Sequence, residues 1–280
     1  LFPGANAPVV VGGVGGSGTR LIAQLLMEVG HFLGYDLNQA KDNLLFTLLF
    51  KREAILSAAD DEFDSLLHLF IRAMLGQGEF TSDQISLARA LANEERPQHP
   101  AAWLNERFQT LLAGHRGGGP SCRWGWKEPN SHLVLDRLVK RLPGMKYIHV
   151  ARNGLDMAFS QNQNQLKLWG KYFIDEPFEI CPHFSLKYWR RVHERVLPIG
   201  ESMRGSFYFL HFDQLCADPQ SGIAQLLGFL GMRQGASIDR LAALVQKPES
   251  LGRFRTHGLA MFAEEDVAYV RSLGFPVDAG

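Results

Sequence analysis

Two rhythms of apolar residues alternate along this chain. Val9-Val10-Val11 is a short β-branched run that stops at Gly12-Gly13, the pattern of a buried strand entering a loop. Leu21, Ile22, Leu25, Leu26 and Val29 then recur at helical spacing, and Gly30 suits the position just past a helix end. From Asn43 to about Arg116 the spacing is mainly helical. Phe63, Leu66, Leu67, Phe70, Met74 and Leu75 make one apolar stripe that stops at Gly76. Thr81 with Gln84 has the form of a capping box, Pro97 and Pro100 break the helix it opens, and Gly117-Gly118-Gly119-Pro120 reads as a linker.

After the linker, strands and helices alternate. Arg123–Trp126 is a short strand candidate leading to Lys127, and Asn130 or Ser131 caps a helix that Pro143-Gly144 ends. Tyr147-Ile148-His149-Val150-Ala151 and Phe207–Phe212 are two further strands. Asp218-Pro219 is an N-cap followed by proline at the first helical position, and Gly231 closes the helix that carries Leu226, Leu227, Phe229 and Leu230. This alternation predicts a single α/β domain, residues 1–280. A central parallel sheet is flanked by helices, with a helical insert at about 43–116 that covers the sheet.

Composition narrows the partners. Lys+Arg and Asp+Glu are both 29 in 280 residues, so no global field recruits nucleic acid or an anionic membrane, and an anion site must be local. No apolar run reaches the ~18 residues of a membrane helix, so no stable membrane insertion is expected. Cys122, Cys181 and Cys216 form no CxxC pair. They read as small buried side chains of a reducing compartment, which points to the cytoplasm. Leu1–Val11 lacks the regions of a signal peptide, although a start at Leu1 is also compatible with a leader or anchor removed upstream.

The chemistry concentrates in two segments. Gly12-Gly13-Val14-Gly15-Gly16-Ser17-Gly18-Thr19-Arg20 places glycines between a strand and a helix, where backbone N–H groups and the helix N-terminus attract an anion. It nearly fits the triphosphate loop GxxxxGK[ST], but Thr19 stands where the lysine belongs and Arg20 where the magnesium-binding hydroxyl belongs. In the second segment Arg152 ends an apolar strand, where α/β proteins bind ligands. If Asp156 starts a helix, Ser160 lies one turn further on the same face, and a guanidinium with a hydroxyl makes a phosphate clamp. The alternative is an Arg152–Asp156 surface ion pair beside a solvated serine.

With these segments in order, the chain resembles the sulfotransferase superfamily, including its bacterial and its tyrosylprotein or carbohydrate branches. The resemblance implies a P-loop-NTPase-like fold and 3′-phosphoadenosine 5′-phosphosulfate (PAPS) as donor, leaving 3′,5′-adenosine bisphosphate (PAP), with no metal. Gly15, Gly16, Ser17, Gly18, Thr19 and Arg20 match the 5′-phosphosulfate loop, and Arg152 with Ser160 matches the 3′-phosphate site. Tyr208–Pro219 and Leu226–Gly231 look like the family's late strand and following helix. Lys247–Arg255, with Ser250, Gly252 and Arg253, resembles the basic loop that closes over the nucleotide. The basic residue that usually precedes Ser-Gly-Thr is Gly16 here, and the loop's second threonine is Arg20.

Those departures leave two candidates for the catalytic cation, Arg20 and Lys127, the latter in a Lys-Glu-Pro segment similar to one in several sulfotransferase branches. Transfer to a hydroxyl, or an amine, needs a base within about 3 Å. Asp42 is the first candidate, since a helix there would set it on one face with Asn38; Asp36 and Glu128 follow, then His31 and His132. His149, inside an apolar strand, reads as a satisfied core histidine. Trp124, Trp126, Trp169 and Phe254 read as core or as adenine-stacking rings. Two other functions compete: a kinase-like phosphotransferase with a degenerate phosphate loop, which needs ATP and magnesium, and a nucleotide-binding module without catalysis. The acceptor stays open among a sugar, lipid headgroup, small alcohol, phenol or peptide tyrosine, and the oligomeric state is open too.

Overall fold

A computed structural model describes residues 7–76, 79–114, 123–232 and 237–278. The Gly117–Pro120 linker and Cys122 lie outside the described residues. Strand β1 (Val9–Gly13) leads through the glycine loop into α1 (Thr19–Glu28). Helices α2 (Leu44–Phe50), α3 (Asp60–Leu75), α4 (Ser82–Ala92) and α5 (Ala101–Ala113) follow before β2 (Gly125–Lys127). Next come α6 (Leu135–Arg141), β3 (Lys146–Ala151), α7 (Gly154–Ala158), α8 (Asn164–Trp169), α9 (Pro182–Ser202) and β4 (Phe207–His211). The chain continues with α10 (Phe212–Ala217), α11 (Pro219–Leu230), α12 (Ile238–Ala242) and α13 (Glu264–Ser272). No helix of the described residues is long and apolar enough to cross a membrane.

The four strands are parallel, in the order β2-β1-β3-β4. Successive residues of β1 face two separate cores. Val10 packs with Tyr147, Trp126 and the helices of 44–113, whereas Val9 and Val11 pack with Ile22, Leu25, Ile148, Val150 and Leu210. Both faces are therefore covered, which is why the strand reads as an unbroken apolar run. Helices α2 and α3 dock on β2 through Trp126, whose ring lies 5.7 Å from Phe46 and 5.1 Å from Phe70.

Local signals acted as their chemistry demands. Gly30 (φ 85°) and Gly76 (φ 63°) end α1 and α3 in the left-handed conformation, Thr81 and Gln84 cap each other's backbone, and Asp218 caps α11. Several expectations are corrected. Asn38 and Asp42 are not on a helix; a turn closed by a Leu37–Asn43 bridge brings them together. Helix α7 starts at Gly154 under an Asn153 cap, so Asp156 lies inside it and Ser160 past its end. The cap after β2 is Glu128, which accepts from the Asn130 amide and opens a short 3₁₀ turn before α6. Cys216 is buried but Cys181 is half-buried. His149 is fully buried, yet neither ring nitrogen has a hydrogen-bond partner, so it is not satisfied.

Candidate active site

The strand order reverses between β1 and β3: the chain runs outward to β2 and then returns to the other side of β1. Such a switch point leaves a crevice beyond the carboxyl ends of the two strands. The glycine loop leaves β1 there, and Arg152 leaves β3 one residue after its end, with Gly13 paired to Val150. The loop needs its glycines for two different reasons. Gly18 (φ 99°) lies against the ring of Phe212, where a Cβ would collide. Gly16 (φ 94°) is exposed, and a Cβ there would meet only Met157 Cε at 4.0 Å, so its outer face is open to a ligand. Ser17 is fully buried, and its Oγ has no hydrogen-bond partner.

A cleft of about 490 Å³ opens from this loop. Gly15, Gly16, Gly18, Thr19 and Arg20 form one wall, Asp42 and Lys127 the next, and Gln246 and Pro248 the far side. Arg20 is exposed and makes no ion pair with any described residue. Lys127, at the end of β2, is 2% exposed; its ammonium donates to the Ala40 carbonyl at 3.1 Å and is ion-paired with Asp42. Asp42 also accepts from Asn38 Nδ2 at 2.9 Å. Both cation candidates thus line the same cleft as one of the carboxylates.

The other base candidates point elsewhere. Asp36 faces Arg107 of α5 at 3.4 Å, and burial raises its pKa against the pull of that guanidinium. Glu128 is 1% exposed, accepts from Asn130 and lies 3.6 Å from Lys51; burial raises its pKa too. His31 and His132 are buried, and burial lowers their pKa values to about 4 and about 3. Neither imidazole lines the cleft.

At the far side Arg152 donates from Nη2 to Ser250 Oγ at 2.9 Å, while its Nε is buried with no partner. Arg253 donates to the carbonyls of Ser250 and Phe159, each at 3.2 Å, so it stands beside Ser160. Ser160 Oγ accepts from the amide of Asn162, itself a lining residue of the cleft. Arg152, Ser160, Ser250 and Arg253 therefore share one neighbourhood, and Gly252 (φ 80°) supplies the turn between the last two. The Arg152–Asp156 pair is not on the surface: Asp156 is 1% exposed. The rings of Trp124, Trp126, Trp169 and Phe254 are all buried in the core. Gln24, Phe212, Leu244 and Gln246 also line the cleft and were not legible, because no local pattern sets them apart from ordinary helix and loop residues.

Residues 8–234 match the family described as "Sulfotransferase family". The chain belongs to this family. A fold of the same kind occurs in the sulfotransferase domain from the Synechococcus PCC 7002 olefin synthase, at 14% identity and a TM-score of 0.51, covering 98% of this chain and 96% of that one. A sulfotransferase from Alicyclobacillus acidocaldarius is 15% identical with a TM-score of 0.48, covering 96% of each chain. A search of the curated proteins finds no match. This sulfotransferase-family chain thus carries the single α/β domain with a parallel sheet that its sequence implied. Among its described residues no group of three or more His, Cys, Asp or Glu side chains is arranged to hold a metal ion.

Proposed function

We propose that this protein transfers the sulfuryl group of PAPS to an acceptor hydroxyl or amine, with Lys127 as the cation and Asp42 as the base. The observation that carries the reading is one cleft walled by the glycine loop, Lys127 and Asp42 and bordered, through Asn162, by the cluster of Arg152, Ser160, Ser250 and Arg253. A nucleotide with a 5′-phosphosulfate and a 3′-phosphate suits both the loop and that cluster. The bound donor supplies an activated sulfuryl group whose leaving atom is a phosphate oxygen.

The protein's own residues do the rest. Backbone N–H groups of Gly15, Gly16, Gly18 and Thr19 and the start of α1 face the negative charge that builds on the leaving oxygen, the Ser17 N–H being given to the Val14 carbonyl, and Lys127 adds a cation from the neighbouring strand end. Asp42, released from Lys127, takes the acceptor's proton. Arg152, Ser160, Ser250 and Arg253 hold the 3′-phosphate and orient the nucleotide. Helices α2–α5 form the insert that shapes the acceptor side. A second cavity of about 440 Å³ opens there, lined by Lys51, Arg52, Arg96, His99, Leu168 and Trp169 among others. Its guanidinium and ammonium groups are already paired, Arg52 and Arg96 with Glu94 and Lys51 with Glu128, and Glu53, Glu94 and Glu95 line it too, which disfavours an anionic acceptor body.

Calorimetry with PAP and AMP tests the donor assignment. PAP is expected to bind at least tenfold more tightly, since one charge-assisted contact contributes about 1.5–3 kcal/mol. Equal affinity for the two nucleotides would overturn it. A turnover assay with phenols and alkanols then separates the enzyme from a nucleotide-binding module.

A further inference from the structure

The carboxylate of Asp156 is buried in α7 and receives two backbone amides from a segment almost a hundred residues away. Gly252 N–H donates to Oδ2 at 2.7 Å and Phe254 N–H donates to Oδ1 at 3.2 Å. The same Oδ2 lies 3.9 Å from Arg152 Nη2, which in turn donates to Ser250 Oγ. One carboxylate of α7 therefore ties Gly252 and Phe254 in place. A buried carboxylate is stable only when fully hydrogen-bonded, and these two amides are the hydrogen bonds that satisfy it. The turn they hold is the one that presents Ser250 and Arg253: Gly252 stands at φ 80°, and Arg253 bonds back to the Ser250 carbonyl.

We propose that Asp156 is a positioning residue that holds the Ser250–Phe254 segment in the form that closes the 3′-phosphate subsite. It does not touch the nucleotide. It acts through the amides of Gly252 and Phe254, which set Ser250 and Arg253 beside Arg152 before a ligand arrives. The distinction from a structural ion pair is geometric. Arg152 is at the limit of contact with Asp156, whereas both amides are at hydrogen-bond distance.

This inference rests on the donor assignment above, and its test separates the two. Asp156→Asn keeps the size of the side chain but leaves one acceptor oxygen for two amides. Calorimetry on the wild type and on this variant, with PAP and with AMP, reads the discrimination that the 3′-phosphate provides. The expected result is that Asp156→Asn loses most of the tenfold or greater preference for PAP while its affinity for AMP changes less than threefold. Wild-type protein that does not prefer PAP would refute the donor assignment itself. A wild-type preference retained in full by Asp156→Asn would overturn the positioning role. Because a buried substitution can prevent folding, Gly252→Ala provides a second route. It strains the same turn from the other side, with the Cβ falling 3.0 Å from Arg255 Nη1, and leaves Asp156 intact. It too is expected to lose the preference for PAP, and its full retention would count against the proposal.

Discussion

Lys127 and Asp42 are ion-paired at the wall of the cleft, although 85 positions separate them in the chain. The ammonium is almost fully buried, while one fifth of the Asp42 side chain remains exposed. A buried cation needs a partner, and Asp42 fills that place. Under the proposed function, an anion at the glycine loop would compete for the same ammonium and free the carboxylate. The two residues are coupled through this pair, so on the proposed function their effects on turnover should not be additive.

Lys127→Met should lower turnover with every acceptor, because the cation acts on the leaving group. Asp42→Asn should lower it most for acceptors of high pKa, by roughly 10²–10⁴-fold, since an acidic phenol gives up its proton without help. Turnover of Lys127→Met, Asp42→Asn and Arg20→Ala against phenols of graded pKa checks this, with PAP affinity measured separately. Normal turnover in Asp42→Asn would pass the role to Glu128 or Asp36.

Arg152→Ala should weaken PAP binding tenfold or more and leave AMP binding nearly unchanged. Calorimetry at fixed ionic strength reads both. Similar losses for the two nucleotides would place Arg152 outside the 3′-phosphate subsite.

Transfer should proceed in EDTA. Thr19 and Arg20 replace the lysine and hydroxyl that hold phosphate and magnesium in nucleoside triphosphatases. An absolute requirement for a divalent ion would favour the kinase-like chemistry.

The loop glycines should differ in their tolerance. Gly18→Ala forces a Cβ into the Phe212 ring and should destabilise the fold as well as nucleotide binding. Gly16→Ala, whose Cβ meets only Met157 Cε at 4.0 Å, should cost the fold only the left-handed backbone strain, about 1–2 kcal/mol, and should act mainly on PAP binding at its open face. Thermal unfolding of the two variants, with and without PAP, checks the contrast.

Stability should fall on acidification below pH 6.5. His149, His132 and His193 are fully buried, and burial lowers their pKa values, to about 3 for His132 and about 4 for His193. The unfolded chain therefore binds more protons than the folded one between pH 6.5 and about 4, so folding free energy is lost as pH falls through that window. Each histidine contributes up to about 1.4 kcal/mol per pH unit. Buried Glu128, Asp213 and Asp266, with raised pKa values, oppose this in the carboxylate range. A melting temperature lower at pH 5 than at pH 7.5 by on the order of 10 °C is expected. No change would mean that water already reaches the imidazoles.

What the sequence determined by itself was set within a few residues at a time. The β-branched run before Gly12-Gly13, the capping box at Thr81, the Asp218-Pro219 start and the terminating Gly30, Gly76 and Gly231 each encode a local backbone choice through sterics or one short-range hydrogen bond. The glycine loop and the strand end at Arg152 were legible for the same reason, whereas Lys247–Arg255 was picked out only by its resemblance to the family's basic loop. Tertiary structure alone decided which charges meet. Asp42 meets Lys127 across 85 positions, Asp36 turns to Arg107, and Asp156 binds the Gly252 amide across 96. Electrostatic partners depend on distance in space and on burial, and a parallel sheet ordered β2-β1-β3-β4 brings together ends that are far apart in the chain. His149 shows the same limit: its strand was evident from its neighbours, but the absence of any hydrogen-bond partner was fixed only by the Phe207, Phe209 and His193 rings packed around it.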